Sequence, residues 1–302
     1  MLTRLRNMLT EKVAPAGPAI APVLAKPLEP APVGQAAPVL EPSRTSWPLS
    51  RIRVAESLWG EGFIFPNGEE ETLRLAKPLA LSNAASLLLV GAGAGGPAFC
   101  VATQLGAWVS GFEADPMLAT CAAERSARGG FGRRAEIKTW ERGEPNFSRR
   151  SYHHALALEP LRGAQMGAVL VSIFRALSPG GQLVLVDLVA DTPLDPRDSA
   201  VAAWCRLEHR STEMPSERAI TGALARLGFD VRVAEDISLR HMQQALRGWR
   251  RAVHGMQANK PSPDLARVFV HEAELWLRRI SLMREHRIRL VRWHALRGTT
   301  PG

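Results

Sequence analysis

The sequence predicts an α/β protein, doubly wound around a mostly parallel sheet. Two observations carry this. Between residues 86 and 237, short apolar runs alternate with longer segments of helical character, the order of strands and covering helices in a parallel sheet. The first apolar run, Leu87–Val90, ends in Gly91-Ala92-Gly93-Ala94-Gly95-Gly96, where a strand can turn sharply into a helix. With 302 residues, 46% of them hydrophobic and 22% charged, the chain can bury a large core.

The elements follow in order. After the Leu87–Val90 strand, Pro97–Leu105 reads as a helix, Trp108–Phe112 as the second strand and Asp115–Arg128 as the second helix. Glu136–Thr139 is the third strand, His154–Leu158 the fourth, and Ala164–Ala176 the helix after it. Ser178-Pro179-Gly180-Gly181 predicts a turn into a fifth, strongly apolar strand, Gln182–Val189. Ser216–Leu227 is a helix stopped by Gly228, and Phe229–Ala234 is a sixth strand. Residues 240–256 and 263–285 read as helices, with Leu265, Phe269, Trp276, Ile280 and Met283 on one face of the second. Arg287-Ile288-Arg289-Leu290 alternates at period two, predicting a seventh strand at or near a sheet edge.

Residues 1–49 carry nine prolines between Pro15 and Pro48 and read as a disordered or extended Ala/Pro-rich segment. No apolar stretch of signal-peptide type follows the amphipathic start Met1–Leu9. The uncharged stretch Pro78–Phe112 is long enough to span a bilayer, but its glycines fit a strand, loop and buried helix better. The three cysteines, Cys100, Cys121 and Cys205, lack metal-ligand spacing; no metal site is expected, and a reducing, cytoplasmic setting is. The formal charge of +9 lies wholly from Arg240 onward, which offers a weak contact to anionic surfaces; no nucleic-acid motif accompanies it.

The glycine run and Glu113, at the end of the second strand, form a nucleotide-binding arrangement. The glycines let a ligand approach the backbone, and a carboxylate at that place can accept both hydroxyls of a ribose. Gly91, Gly93 and Gly96 also satisfy the dinucleotide fingerprint, so an NAD- or FAD-binding oxidoreductase stays open on these residues.

Three segments, VGAGAGG, FRALSPGGQLVLVDLV and LARLGFDVRVAEDISL, together resemble the class I S-adenosylmethionine-dependent methyltransferase family across about 150 residues. SLWGEGFIFPNG resembles the N-terminal cap of phosphoethanolamine and related small-molecule N-methyltransferases. The resemblance implies a seven-stranded Rossmann-like methyltransferase sheet with helical additions. Its parts would be a cap over 50–80, a core over 86–237, a helical insert over 238–286 and a last strand over 287–296. It implies S-adenosylmethionine as cofactor and a small-molecule acceptor, an amine among the candidates. Gly91, Ala92, Gly93, Gly95, Glu113, Ala114, Trp140 and Glu141 would hold the cofactor; Trp59, Glu61 and Phe63 would serve the cap or the acceptor. Acceptors in open α/β sheets sit beyond the strands' C-terminal ends, which picks Glu159 as a candidate catalytic group; His154, within the same strand, is the second candidate. The sequence departs from the family at Leu89, which replaces the usual motif I acid, and at Tyr152-His153, which replaces a Phe-Asp pair. A methyltransferase-like module that binds or assembles without catalysis is therefore the alternative.

Overall fold

Alternation along the first strand sets the two faces of the sheet. In β1 (Ser86–Val90), Leu87 and Leu89 point into one apolar cluster, and Leu88 and Val90 into the other. Helices cover both clusters, so the strand is buried from Leu87 to Val90 and needs no polar face there. Leu89 is fully buried in the first cluster, in hydrocarbon surroundings that would penalise a charged side chain there.

The computed structural model describes residues 46–299. Before the sheet come α1 (Leu49–Trp59) and α2 (Gly68–Ala76). Then follow β1, α3 (Gly96–Gln104), β2 (Trp108–Glu113), α4 (Pro116–Gly129), β3 (Ala135–Thr139), β4 (Tyr152–Leu158) and α5 (Met166–Ala176). The chain continues through β5 (Leu177–Val189), α6 (Ser199–Glu208), α7 (Glu217–Arg226), β6 (Phe229–Asp236), α8 (Ser238–Ala258), α9 (Pro263–Arg284) and β7 (Arg289–Arg297). The strands form one seven-stranded sheet in the order β3-β2-β1-β4-β5-β7-β6. Strands β1 to β5 pair in parallel, and β7 is antiparallel to both its neighbours.

The predicted elements are present, with instructive differences. The seventh strand lies one position in from the edge, between β5 and β6, and its Val291, Trp293 and Ala295 are fully buried. The edges are β3 and β6, where exposed Glu136–Lys138 and Asp230–Arg232 pairs discourage further strand pairing. The expected turn at Ser178–Gly181 lies within the span of β5, as an irregularity. There the register against β4 jumps from Tyr152–Leu177 to His154–Gln182. Gly180 takes a φ of 76°, and a side chain on Gly181 would press the His153 carbonyl. Folded structure begins before residue 50, since Trp47 is already buried; the rest of the predicted disordered segment, residues 1–45, lies outside the described residues.

The uncharged stretch Pro78–Phe112 runs through β1, α3 and most of β2, in the core. No helix among the described residues is long and apolar enough to cross a membrane. Much of the C-terminal positive charge is internally paired: Arg240 with Glu71, Arg287 with Asp198, Arg289 with Asp191 and Glu217, and Arg292 with Glu235.

Candidate functional site

The cavity opens where β1, β2, β4 and β5 end. Its empty space, including the part open to solvent, is about 1140 Å³. The helices α1, α2, α8 and α9 wall it from above.

One end is built from the glycine loop and β2. Gly91 lines the cavity; its φ is 81°, and a Cβ there would collide with the Leu158 carbonyl. Glu113 lines it too and is 5% exposed. Its Oε2 accepts from the Gly93 amide at 2.7 Å and its Oε1 from the Asp115 amide at 2.9 Å. A carboxylate has about four acceptor positions, so roughly two remain, the number that a ribose diol needs. Burial raises the Glu113 pKa, the two amides offsetting it in part, so further donors to this carboxylate are favourable. Ala114 and Trp140 complete this end; the Trp140 Nε1 is buried without a hydrogen-bond partner, an orphan that a ligand acceptor would satisfy.

Five of the loop amides are otherwise engaged. Gly91 and Ala92 donate to Phe112, Gly93 to Glu113, Gly95 to Ala92, and Gly96 to Gly62 of the cap. A pyrophosphate needs such amides pointing at it. This loop instead presents a bare backbone edge and a carboxylate, a better match for an uncharged ribose.

The remaining predicted cofactor residues are placed differently. Ala92, Gly93 and Gly95 shape the loop but do not line the cavity, and Glu141 is exposed. The three cap candidates do not line it either. Trp59 packs edge-on against Trp276 at 5.3 Å, Phe63 packs on Phe65 at 5.9 Å, and Glu61 is exposed and pairs with Arg125 at 3.2 Å. Their neighbours Ile64 and Phe65 do the lining, with Trp47 and Arg51 from before and within α1.

Glu159 lines the cavity, but in another role than that of a free base. Its backbone is held at φ 46° just past β4, a left-handed strain typical of functional sites. Arg279 donates to its Oε1 at 2.6 Å, and Arg210 to its Oε2. Burial works against the charge, yet Arg279 and Arg210 outweigh it and hold the carboxyl well below the usual carboxylate range. Arg279 continues to Glu208 at 2.8 Å, and Glu208 accepts from the Trp204 indole at 2.5 Å. A second buried pair, Arg51–Glu272 at 2.8 Å, stands nearby. His154 lies in β4 four residues before its C-terminal end and does not line the cavity; its neighbour His153 instead bonds Ser86 at the strand's start. The two side chains diverge because successive strand residues point to opposite faces.

Sequence reasoning missed Arg51, Arg162, Glu208, His241, Glu272, Trp276 and Arg279, which line the cavity from the N-terminal region, the loop after β4 and the helices α6, α8 and α9. Among the described residues, no group of three or more His, Cys, Asp or Glu side chains is placed to hold a metal.

No protein-family model matches the sequence, and no curated protein does. Solved structures do match. Haemonchus contortus phosphoethanolamine N-methyltransferase 2, in complex with phosphomonomethylethanolamine and S-adenosylhomocysteine, superposes with a TM-score of 0.75 at 18% identity over 87% of this chain. The same enzyme with S-adenosyl-L-methionine gives 0.71. This chain spans only 56–62% of the length of those two chains. A geranyl diphosphate C-methyltransferase from Streptomyces coelicolor gives 0.57 at 14% identity, over 76% of this chain and 78% of that one. The [4+2]-cyclase SpnF gives 0.58 at 20% identity, over 77% and 82%. The sheet order, the single antiparallel strand and these superpositions lead to one conclusion: this chain has the class I S-adenosylmethionine-dependent methyltransferase fold.

Proposed function

We propose that the cavity binds S-adenosylmethionine and that the protein transfers its methyl group to a small molecule. The observation that carries the reading is Glu113, a buried carboxylate at the end of β2 with acceptor positions left over, beside a glycine loop most of whose amides are engaged. The residues fit the group: Glu113 would hold the ribose hydroxyls, Trp140 would lie against the adenine with its orphan indole N–H, and Gly91 would let the ligand approach the backbone. When bound, the sulfonium supplies an electrophilic methyl and a neutral thioether leaving group. The chain's own part is to align the acceptor with that methyl and to exclude water. Ile64, which lies over Gly93, and Phe65 wall the cavity for this purpose.

A second reading, binding without transfer, is favoured by one observation: both oxygens of Glu159 are held by arginines, so it offers no free base. Calorimetric titration with S-adenosylhomocysteine tests the common part of both readings. Wild type should bind one equivalent. Glu113→Gln should weaken binding by about 10- to 100-fold, since hydrogen bonds to a charged group contribute about 1.5–3 kcal/mol. A folded wild type that takes up no ligand, or a Glu113→Gln variant that titrates identically, contradicts the proposal.

A further inference from the structure

We propose that His241 hydrogen-bonds the acceptor and takes its proton, and that this acceptor is an uncharged, largely apolar molecule carrying a hydroxyl. The inference rests on the cavity being a methyl-transfer site, and it sets aside the amine that the family resemblance suggests.

The half of the cavity away from Glu113 and Trp140 is walled largely by Leu75, Val186, Ile237, Leu275, Trp276 and Leu290. Its charged groups neutralise one another. Glu71 accepts from Arg240 at 3.0 Å and Gln244 at 2.7 Å, and Glu272 from Arg51 at 2.8 Å and Trp276 at 3.2 Å. Glu208 and Glu159 are bound to Arg279, as described above. None of these carboxylates stands free to meet a cation.

His241, on the first turn of α8, is different. It is 8% exposed, it lines this half of the cavity, and its Nε2 has no hydrogen-bond partner. Its ring packs on that of Trp276, at 5.6 Å. A buried polar group without a partner is disfavoured, and a ligand hydroxyl would relieve it. Burial and the Arg279 charge push the His241 pKa down to about 3, so the ring is neutral at physiological pH. An alkylammonium acceptor would enter the same surroundings that reject an imidazolium. A neutral hydroxyl on an apolar body would not.

The step balances. The hydroxyl oxygen forms a bond to the methyl carbon, and the carbon–sulfur bond of the sulfonium donor breaks with its electron pair left on sulfur. The hydroxyl proton moves to the His241 imidazole and on to solvent. Although this imidazole is a weak base, the oxygen grows strongly acidic as it is alkylated, which makes the transfer downhill.

The test uses the full chain and three neutral probes, phenol, 4-propylphenol and cyclohexanol, with ethanolamine as the charged comparison. S-adenosylhomocysteine should bind wild type and His241→Leu within about threefold of each other, which also reports that the variant is folded. In that complex 4-propylphenol should bind wild type, lose about tenfold or more in His241→Leu, and outcompete ethanolamine; one lost hydrogen bond is worth about this much. With S-adenosylmethionine, His241→Asn should keep the KM for 4-propylphenol within about threefold and lower kcat by about 100-fold, the usual effect of removing a proton acceptor. Binding of none of the three neutral probes, equal 4-propylphenol binding by wild type and His241→Leu, or preferential binding of ethanolamine overturns the inference and leaves the methyl-transfer reading standing. Failure of wild type to bind S-adenosylhomocysteine instead removes that reading, and the inference with it.

Discussion

At Glu159 a half-buried carboxylate, two buried guanidinium groups and a left-handed backbone meet. Removing Glu159 takes a carboxylate from two buried guanidinium groups and leaves Glu208 to share between them in a poor solvent. Glu159→Ala should therefore cost about 3–5 kcal/mol of stability, read from urea denaturation. A loss under about 1 kcal/mol would mean that water reaches the arginines freely. His241 makes a prediction of opposite kind. Its folded pKa, about 3, lies below the ordinary histidine value, so the stability tied to its neutral form is present above about pH 6.5 and is lost as pH falls toward 3. The slope is at most about 1.4 kcal/mol per pH unit, and His241→Asn should flatten it. The two residues also differ in legibility. Glu159 could be found from its place at the end of a strand, though not its arginine partners, which lie 51 and 120 positions away. His241 sits on a helix with no motif around it, and only the fold brings it to the cavity.

Among the elements, the cap depends on contacts that no local pattern announces. Arg125 of α4 reaches Glu56 at 2.6 Å, Glu61 at 3.2 Å and the Ala94 carbonyl, tying α1 to the glycine loop. Gly62 and Gly96 pack backbone on backbone; a Cβ on Gly62, at φ 81°, would come within 2.6 Å of the Gly96 amide nitrogen. Gly62→Ala should loosen the cap selectively: amide exchange should speed up over residues 49–76 while β1 and β4 stay protected. Uniform exchange throughout would contradict a separable cap. Gly248 of α8 similarly leaves room for the Trp59 ring, so Gly248→Ala should destabilise by about 1–3 kcal/mol in thermal unfolding. Strand positions were legible because alternation and apolar runs are local. The inner place of β7 was not, since insertion between β5 and β6 is a long-range pairing. The helices α1, α2 and α6 were also not resolved from sequence; α1 and α2 lay in a segment read only as a cap, and α6 follows a stretch of turn residues.

For the whole molecule, hydrophobic patterning and one glycine loop suffice to specify the sheet, while the chemistry depends on side chains drawn from the N-terminal region to β7. The same fold holds a cyclase and several methyltransferases, so its presence does not choose a reaction. A ligand that binds only the folded chain must stabilise it. S-adenosylhomocysteine at about 100 times its Kd should add about 2.7 kcal/mol, seen as a raised Tm that Glu113→Gln diminishes. NADH at equal concentration should leave Tm unchanged, because five of the loop amides are engaged. The most direct test is a crystal structure of the protein with S-adenosylhomocysteine. The ribose hydroxyls should lie within hydrogen-bond distance of Glu113, the adenine against Trp140, and the thioether sulfur turned toward the His241 half of the cavity. Ligand bound elsewhere, or a ribose turned away from Glu113, would contradict the proposed cofactor site.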